Sequence, residues 1–199
     1  MERNVLIQAP ETETDGRRRR TLDSRARIVA AMLELAQEGH ISVSAELVAA
    51  RAQVGLRTVF RLFKDMDSLY REMSLIIEAR LRDESAGGFV AQDWRGRLNE
   101  LIDRRTGLFE RITPFKRAEA AHRHRSRFLE EDIQSLNARL RARLSQVLPA
   151  EVVADRTVFE GLDLLLSFES WDRLRREQAL SADEARKVLQ AAADRLLAR

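Results

Sequence analysis

Residues 54–63 read VGLRTVFRLF. Val54, Val59 and Phe63 recur at helical spacing, so the stretch predicts one short helix with a buried side. Leu56, Arg57 and Thr58 fall in its first turn and face outward, where a simple core helix gains little from an arginine and a threonine. Just upstream, Ser44 precedes another short helical segment carrying Leu47, Val48 and Ala52, and a tight turn through Gln53 and Val54 joins the two. A longer helix over 24–38 comes before both, with Ile28, Met32, Leu35 and Ala36 on one stripe, Ser24 as its cap and Gly39 as its stop. Two short helices joined by a tight turn, with a third before them, form a helix-turn-helix, whose second short helix enters the DNA major groove. In that setting Arg57 can fork onto guanine N7 and O6, and Thr58 can bond a phosphate or touch a thymine methyl. The amide groups at the helix start favour a phosphate as well. On an isolated short helix, Arg57 would be an ordinary solvated side chain.

The rest of the chain has the same periodicity. Eight glycines and three prolines punctuate segments whose apolar residues recur at three and four rather than alternating, which predicts an all-α protein of about nine helices. A fourth helix opens at Asp65 and Asp67, carries Leu69, Met73 and Ile76, and stops at Gly87 and Gly88. A fifth covers 94–112, and Pro114 starts a sixth segment that breaks near 124–126 and ends before Pro149. The last two cover 157–176 and 181–197, the latter opened by a capping box of Ser181 and Glu184. Three regions result: a flexible tail with a basic arm over 1–22, a helix-turn-helix domain with its connecting helix over 23–86, and a C-terminal helical domain over 87–199.

Composition sets outer bounds. With 199 residues, 44% of them hydrophobic, the chain can bury a real core. It has no cysteine, so it offers neither disulfides nor thiolate metal sites. No apolar run approaches the roughly 20 residues of a membrane span, and the opening residues lack a signal peptide's pattern, so the expected location is the cytoplasm. Net charge is only +3, yet Arg17, Arg18, Arg19, Arg20, Arg25 and Arg27 crowd one segment opposed by Asp23 alone. Such a run is either a solvated tail or a phosphate-binding arm. Enzyme chemistry finds no arranged site, because His122 and His124 point to different helix faces and no glycine-rich loop or serine elbow occurs. No cofactor, metal or catalytic residue is expected.

Residues 49–73, AARAQVGLRTVFRLFKDMDSLYREM, resemble the DNA-binding domain of the TetR family of bacterial transcriptional regulators. Ala49, Ala52, Val54, Thr58, Val59, Phe60, Phe63 and Leu69 stand at that family's positions, and the likeness extends back to residue 25. Four positions depart: Gln53 replaces a glycine, Gly55 a serine cap, and Leu62 and Met66 replace a histidine and a lysine that reach phosphates. The resemblance implies a homodimer on a palindromic double-stranded DNA operator, probed through Arg25, Ser44, Gly55, Leu56, Arg57, Thr58, Phe60 and Arg61. It also implies a C-terminal domain that dimerises and binds a small-molecule effector. A helical ligand-binding or adaptor protein without sequence-specific DNA binding is the alternative that Leu62 and Met66 keep open.

For the effector, the stripe of residues 98–112 is interrupted by Arg105 and that of 115–129 by His122, with Trp94, Phe109, Phe115 and Phe128 nearby as apolar lining. Arg105 otherwise snorkels to the surface or pairs with Glu160 or Asp163, and His122 otherwise belongs to a solvated HRHR run. Residues 162–171 are apolar around most of their helix, which calls for burial on two sides. Leu164, Phe168 and Trp171, with Val188 and Ala192 of the alanine-rich last helix, are the expected dimer surface.

Overall fold

The computed structural model describes residues 11–85, 87–120, 122–123 and 126–198. Within them the chain forms ten α-helices and no strand. The order is α1 Glu11–Gln37, α2 Ala45–Arg51, α3 Leu56–Leu62, α4 Met66–Ser85, α5 Trp94–Ala120, α6 Arg127–Val147, α7 Ala150–Ala154, α8 Arg156–Leu165, α9 Phe168–Asp172 and α10 Ala182–Leu197. A π-helical turn over Arg173–Glu177 follows α9.

Two apolar cores organise these helices. The first gathers the inner faces of α1 to α4, including Ile28, Met32, Val48, Val59, Phe63, Leu69 and Met73. Phe115 and Ala118 from the end of α5 and Leu129 from the start of α6 complete it. The second packs Leu101, Ile102 and Phe109 of α5 against Leu144 of α6, Leu162 of α8, Trp171 of α9 and Leu189 of α10. Each fully buried large side chain contributes roughly 1.5–3 kcal/mol.

Local signals account for most helix ends. Gly39 takes φ +90° after α1, a left-handed conformation that a Cβ would strain. Asp65 accepts the Ser68 amide at 2.9 Å to open α4. Ser126 accepts from the Leu129 amide to open α6. Ser181 and Glu184 form the reciprocal capping box of α10.

Three expected boundaries are corrected. The first helix begins at Glu11, so Arg17 to Arg20 stand on helix rather than in a flexible arm. Arginine is a good helix former, and the segment lacked only an apolar stripe to announce it. Residues 1–10 lie outside the described residues, as do His124 and Arg125 of the expected break. Pro114 does not start a helix but lies inside α5. An interior proline costs about 3 kcal/mol, and the burial of Phe109, Ile112, Phe115 and Ala118 around it offsets that. It sits where α5 crosses over: Ile112 belongs to the second core and Phe115 to the first. Finally, the expected helix over 157–176 is interrupted after Leu165, where Ser167 caps a new start by accepting from the Ser170 amide.

Candidate functional site

The segment from α2 to α3 is shaped by its backbone. Ser44 is the N-cap of α2, accepting from the Leu47 amide at 3.3 Å. At the other end Val54 N–H donates to the Ala49 carbonyl at 3.0 Å and Gln53 N–H to that of Ala50 at 3.2 Å. This is a Schellman closure, and its left-handed position is held by Gln53 at φ 53° where glycine is usual. Gln53→Gly is expected to raise stability by about 0.5–1 kcal/mol, because a non-glycine residue is strained there. Chemical denaturation checks it, and a loss of stability would show that the glutamine side chain contributes more than the strain costs.

Gly55 then caps α3 with extended backbone and no side-chain bond, its carbonyl accepting from Thr58 N–H at 2.8 Å. Val59 and Phe63 are each 1% exposed, while Thr58 is half-buried. Leu56, Arg57, Phe60 and Arg61 form the opposite, exposed face, with Leu56 and Phe60 at 37% and 48% exposure. Two apolar side chains are thus exposed beside two arginines on a helix whose other side packs on the first core.

Leu62 and Met66 turn inward and pack on the first core, so neither is available to a phosphate. Arg25, one of the expected DNA contacts, also has bonds within the fold. Its guanidinium grips Glu72 on α4, donates to the Leu62 carbonyl at 2.8 Å and lies 4.3 Å over the Phe63 ring. With these partners taken, it pins the end of α3 to α1 and α4.

The six residues expected around an effector do not converge. Phe109 is fully buried in the second core, whereas Phe115 lies in the first and Phe128 packs against the first. Trp94 stands at the start of α5 under the Arg95 guanidinium, and the His122 ring lies 5.0 Å from Tyr70. The reason is length: α5 runs about 40 Å, so positions sharing one stripe serve different cores. Arg105 is 3% exposed and neither snorkels nor pairs with Glu160 or Asp163. It donates to the Leu166 carbonyl at 3.0 Å and to that of Leu140, while Arg141 takes Glu160 and Asp163.

The expected dimer residues divide as well. Leu164 is 71% and Val188 43% exposed on adjoining helices, with Ala192 half-buried between core and surface. Leu196 of α10 lies over Gly161 of α8, where the two helices pack together. Trp171 is instead 1% exposed, its indole N–H donating to Glu110 at 3.0 Å, and the Phe168 ring meets Phe109 edge-on at 5.7 Å. Both belong to the chain's own core because α9 turns inward after the break at Ser167.

Sequence reasoning missed a charged cluster where the two cores meet. Lys116 donates to Glu119 at 2.9 Å and to Asp132 at 2.8 Å, and Ser74 of α4 donates to Glu119 at 3.0 Å. Burial raises Glu119 above the usual carboxylate range, and Lys116 only partly reverses it. Burial pulls Lys116 down, but its two carboxylates outweigh that and leave it raised. The one available signal was Lys116 and Glu119 at i, i+3 within an apolar stripe. Asp132 comes from another helix.

Among the described residues no group of acidic or histidine side chains is arranged to hold a metal ion, and no helix is long and apolar enough to cross a membrane. The architecture is that of a helix-turn-helix unit seated on a larger helical body. No protein-family model and no curated protein sequence matches the chain. Solved structures do. A TetR transcriptional regulator from Rhodococcus sp. RHA1 matches at TM-score 0.52 and 19% identity, over 90% of this chain and 98% of that one. A TetR family transcription regulator from Marinobacter aquaeolei VT8 matches at TM-score 0.53 and 20% identity, over 90% and 97%. The chain therefore has the fold of TetR-family transcriptional regulators.

Proposed function

We propose that the protein is a DNA-binding transcriptional regulator that reads a palindromic operator as a homodimer and is released by a small-molecule effector, acting as a repressor. The observation that carries the reading is the outward face of α3, with Arg57 and Arg61 exposed beside Leu56 and Phe60 while Val59 and Phe63 are buried behind them. In this reading Arg57 contacts a base edge in the major groove and the amides at Gly55 and Leu56 receive a phosphate. Ser44, Thr58 and Arg61 supply further backbone contacts, and Phe60 packs on a sugar. The helical run Arg17 to Arg20 adds sequence-independent attraction. Leu164, Val188 and Ala192 form the face that meets a second copy, holding two α3 helices about 34 Å apart on successive major grooves.

Selection of bound duplexes from a random pool tests this, with Arg57→Ala beside the parent chain. The expected result is a palindrome whose preference relaxes at one position per half-site in the variant, at a cost of about 1–3 kcal/mol. Binding that is blind to sequence and unchanged by Arg57→Ala would favour the adaptor alternative, to which Leu62 and Met66 contribute by lying in the core.

A further inference from the structure

A cleft of about 310 Å³ opens between α5, α6 and α9, at the lower end of the range for ligand pockets. Its apolar lining comes from Ala120, Ile133, Leu136 and Phe168. Its charges are informative through their partners. Lys116 is held by Glu119 and Asp132, and Arg123 by Glu130 at 3.1 Å. Arg173 pairs with Glu177 at 3.5 Å, and Arg176 with Asp172 at 3.3 Å. Every lining cation thus already has a carboxylate.

The converse does not hold. Glu169, exposed at the mouth, has no hydrogen bond or ion pair among the described residues. Of the three carboxylates that line the cleft, Asp172 is held by Arg117 and Arg176 and Glu177 by Arg173 and Arg176, so Glu169 is the negative charge there without a counterpart among the described residues, and a cation can pair with it.

We propose that this cleft binds an amphipathic organic cation, its ammonium beside Glu169 and its apolar body against Phe168, Ile133 and Leu136. The inference names a chemical class for the effector in the reading above, and it rests on that reading only for its regulatory meaning. A route to the DNA-binding half is present: the α5 segment carrying Lys116 and Ala120 also carries Phe115 and Ala118, which complete the first core. Tyr70 of α4 donates to the Ala118 carbonyl on the same segment.

The test is calorimetric titration of the full chain with three probes of one shape, 1-naphthylmethylammonium, 1-naphthylmethanol and 1-naphthoate. The ammonium should bind about tenfold more tightly than the alcohol, through an ion pair and the face of Phe168, and the carboxylate most weakly. Glu169→Gln, an exposed change that leaves the fold intact, should weaken the ammonium about fivefold while the alcohol is unaffected. Equal or tighter binding of the carboxylate, an ammonium affinity indifferent to Glu169→Gln, or no binding by any of the three would overturn the proposal. Because the heat is read without DNA, failure to select an operator would leave a positive result standing, and the converse also holds.

Discussion

Replacing Lys116 by methionine is expected to cost about 3–5 kcal/mol of unfolding free energy, among the largest effects of any single change in this chain. The lysine side chain is 12% exposed, and the two carboxylates it serves are 3% and 11% exposed. Without it, Glu119 and Asp132 face each other in a poorly solvated junction with Ser74 as the remaining donor to Glu119. Two buried like charges cannot both stay ionised cheaply, so one takes up a proton. The sign of the pH dependence follows. Glu119 already titrates above its ordinary value in the folded protein, so the folded state binds a proton before the unfolded one does. Stability therefore rises as pH falls from neutrality towards the unfolded carboxylate's range, and Lys116→Met should steepen that rise. Glu119→Gln is the informative control. It removes the surplus charge, keeps Lys116 paired with Asp132 and leaves Ser74 an acceptor, so it should be neutral or stabilising by up to about 1 kcal/mol. Urea melts of the three proteins at neutral and mildly acidic pH decide it. A loss below about 1 kcal/mol for Lys116→Met would mean that water reaches the cluster and solvates it.

What the sequence disclosed and what it withheld divide along the range of the interactions. The turn between α2 and α3, the caps at Ser44, Asp65 and Ser181 and the stop at Gly39 depend on residues within a few positions of one another, and their chemistry could be read from the letters. The inner and outer faces of α3 followed from periodicity alone. Pro114 misled because a local rule was outweighed by burial in two separate cores, a tertiary effect. The break at Ser167 was hidden by an unbroken apolar run, since leucines at 164–166 say nothing about where a helix stops packing and a shorter one begins. The cleft lined by Phe168 and Leu136 was least legible. Its charges are sorted by pairing across helices, and partners such as Asp132 for Lys116 or Arg117 for Asp172 come from other elements of the chain. For the same reason the bracing role of Arg25 was not legible, its acceptor Glu72 lying on α4.

Arg105→Ala should be as damaging, at about 3–5 kcal/mol, and comparison with Arg105→Met separates the causes. Burial lowers the guanidinium to about 10, with Asp163 restoring part of the shift, so the side chain remains charged at neutral pH despite its 3% exposure. It is held by carbonyls rather than by a carboxylate: one from Leu140 on α6 and one from Leu166, where α8 ends. Its Nε finds no acceptor, which makes the site costly as well as useful. Alanine would take the donor from the Leu166 carbonyl, while that of Leu140 keeps its helical bond within α6, and would leave a void between α6 and the end of α8. Methionine would remove the same donor but fill the space and lift the burden of a desolvated charge, so its cost should be smaller, about 1–2 kcal/mol. The two variants share one further consequence. The Leu166 carbonyl precedes Ser167, and α9 beyond it carries Phe168 and Glu169 into the cleft, so loosening this joint should weaken naphthylmethylammonium binding even where the fold survives. Hydrogen exchange at the Phe168 to Asp172 amides reads the joint directly, and faster exchange there in Arg105→Met with α10 unchanged is the expected pattern. Equal losses for alanine and methionine, with no local change in exchange, would show that the lost donor to the Leu166 carbonyl rather than the void sets the cost and that α9 is held by its aromatic packing alone.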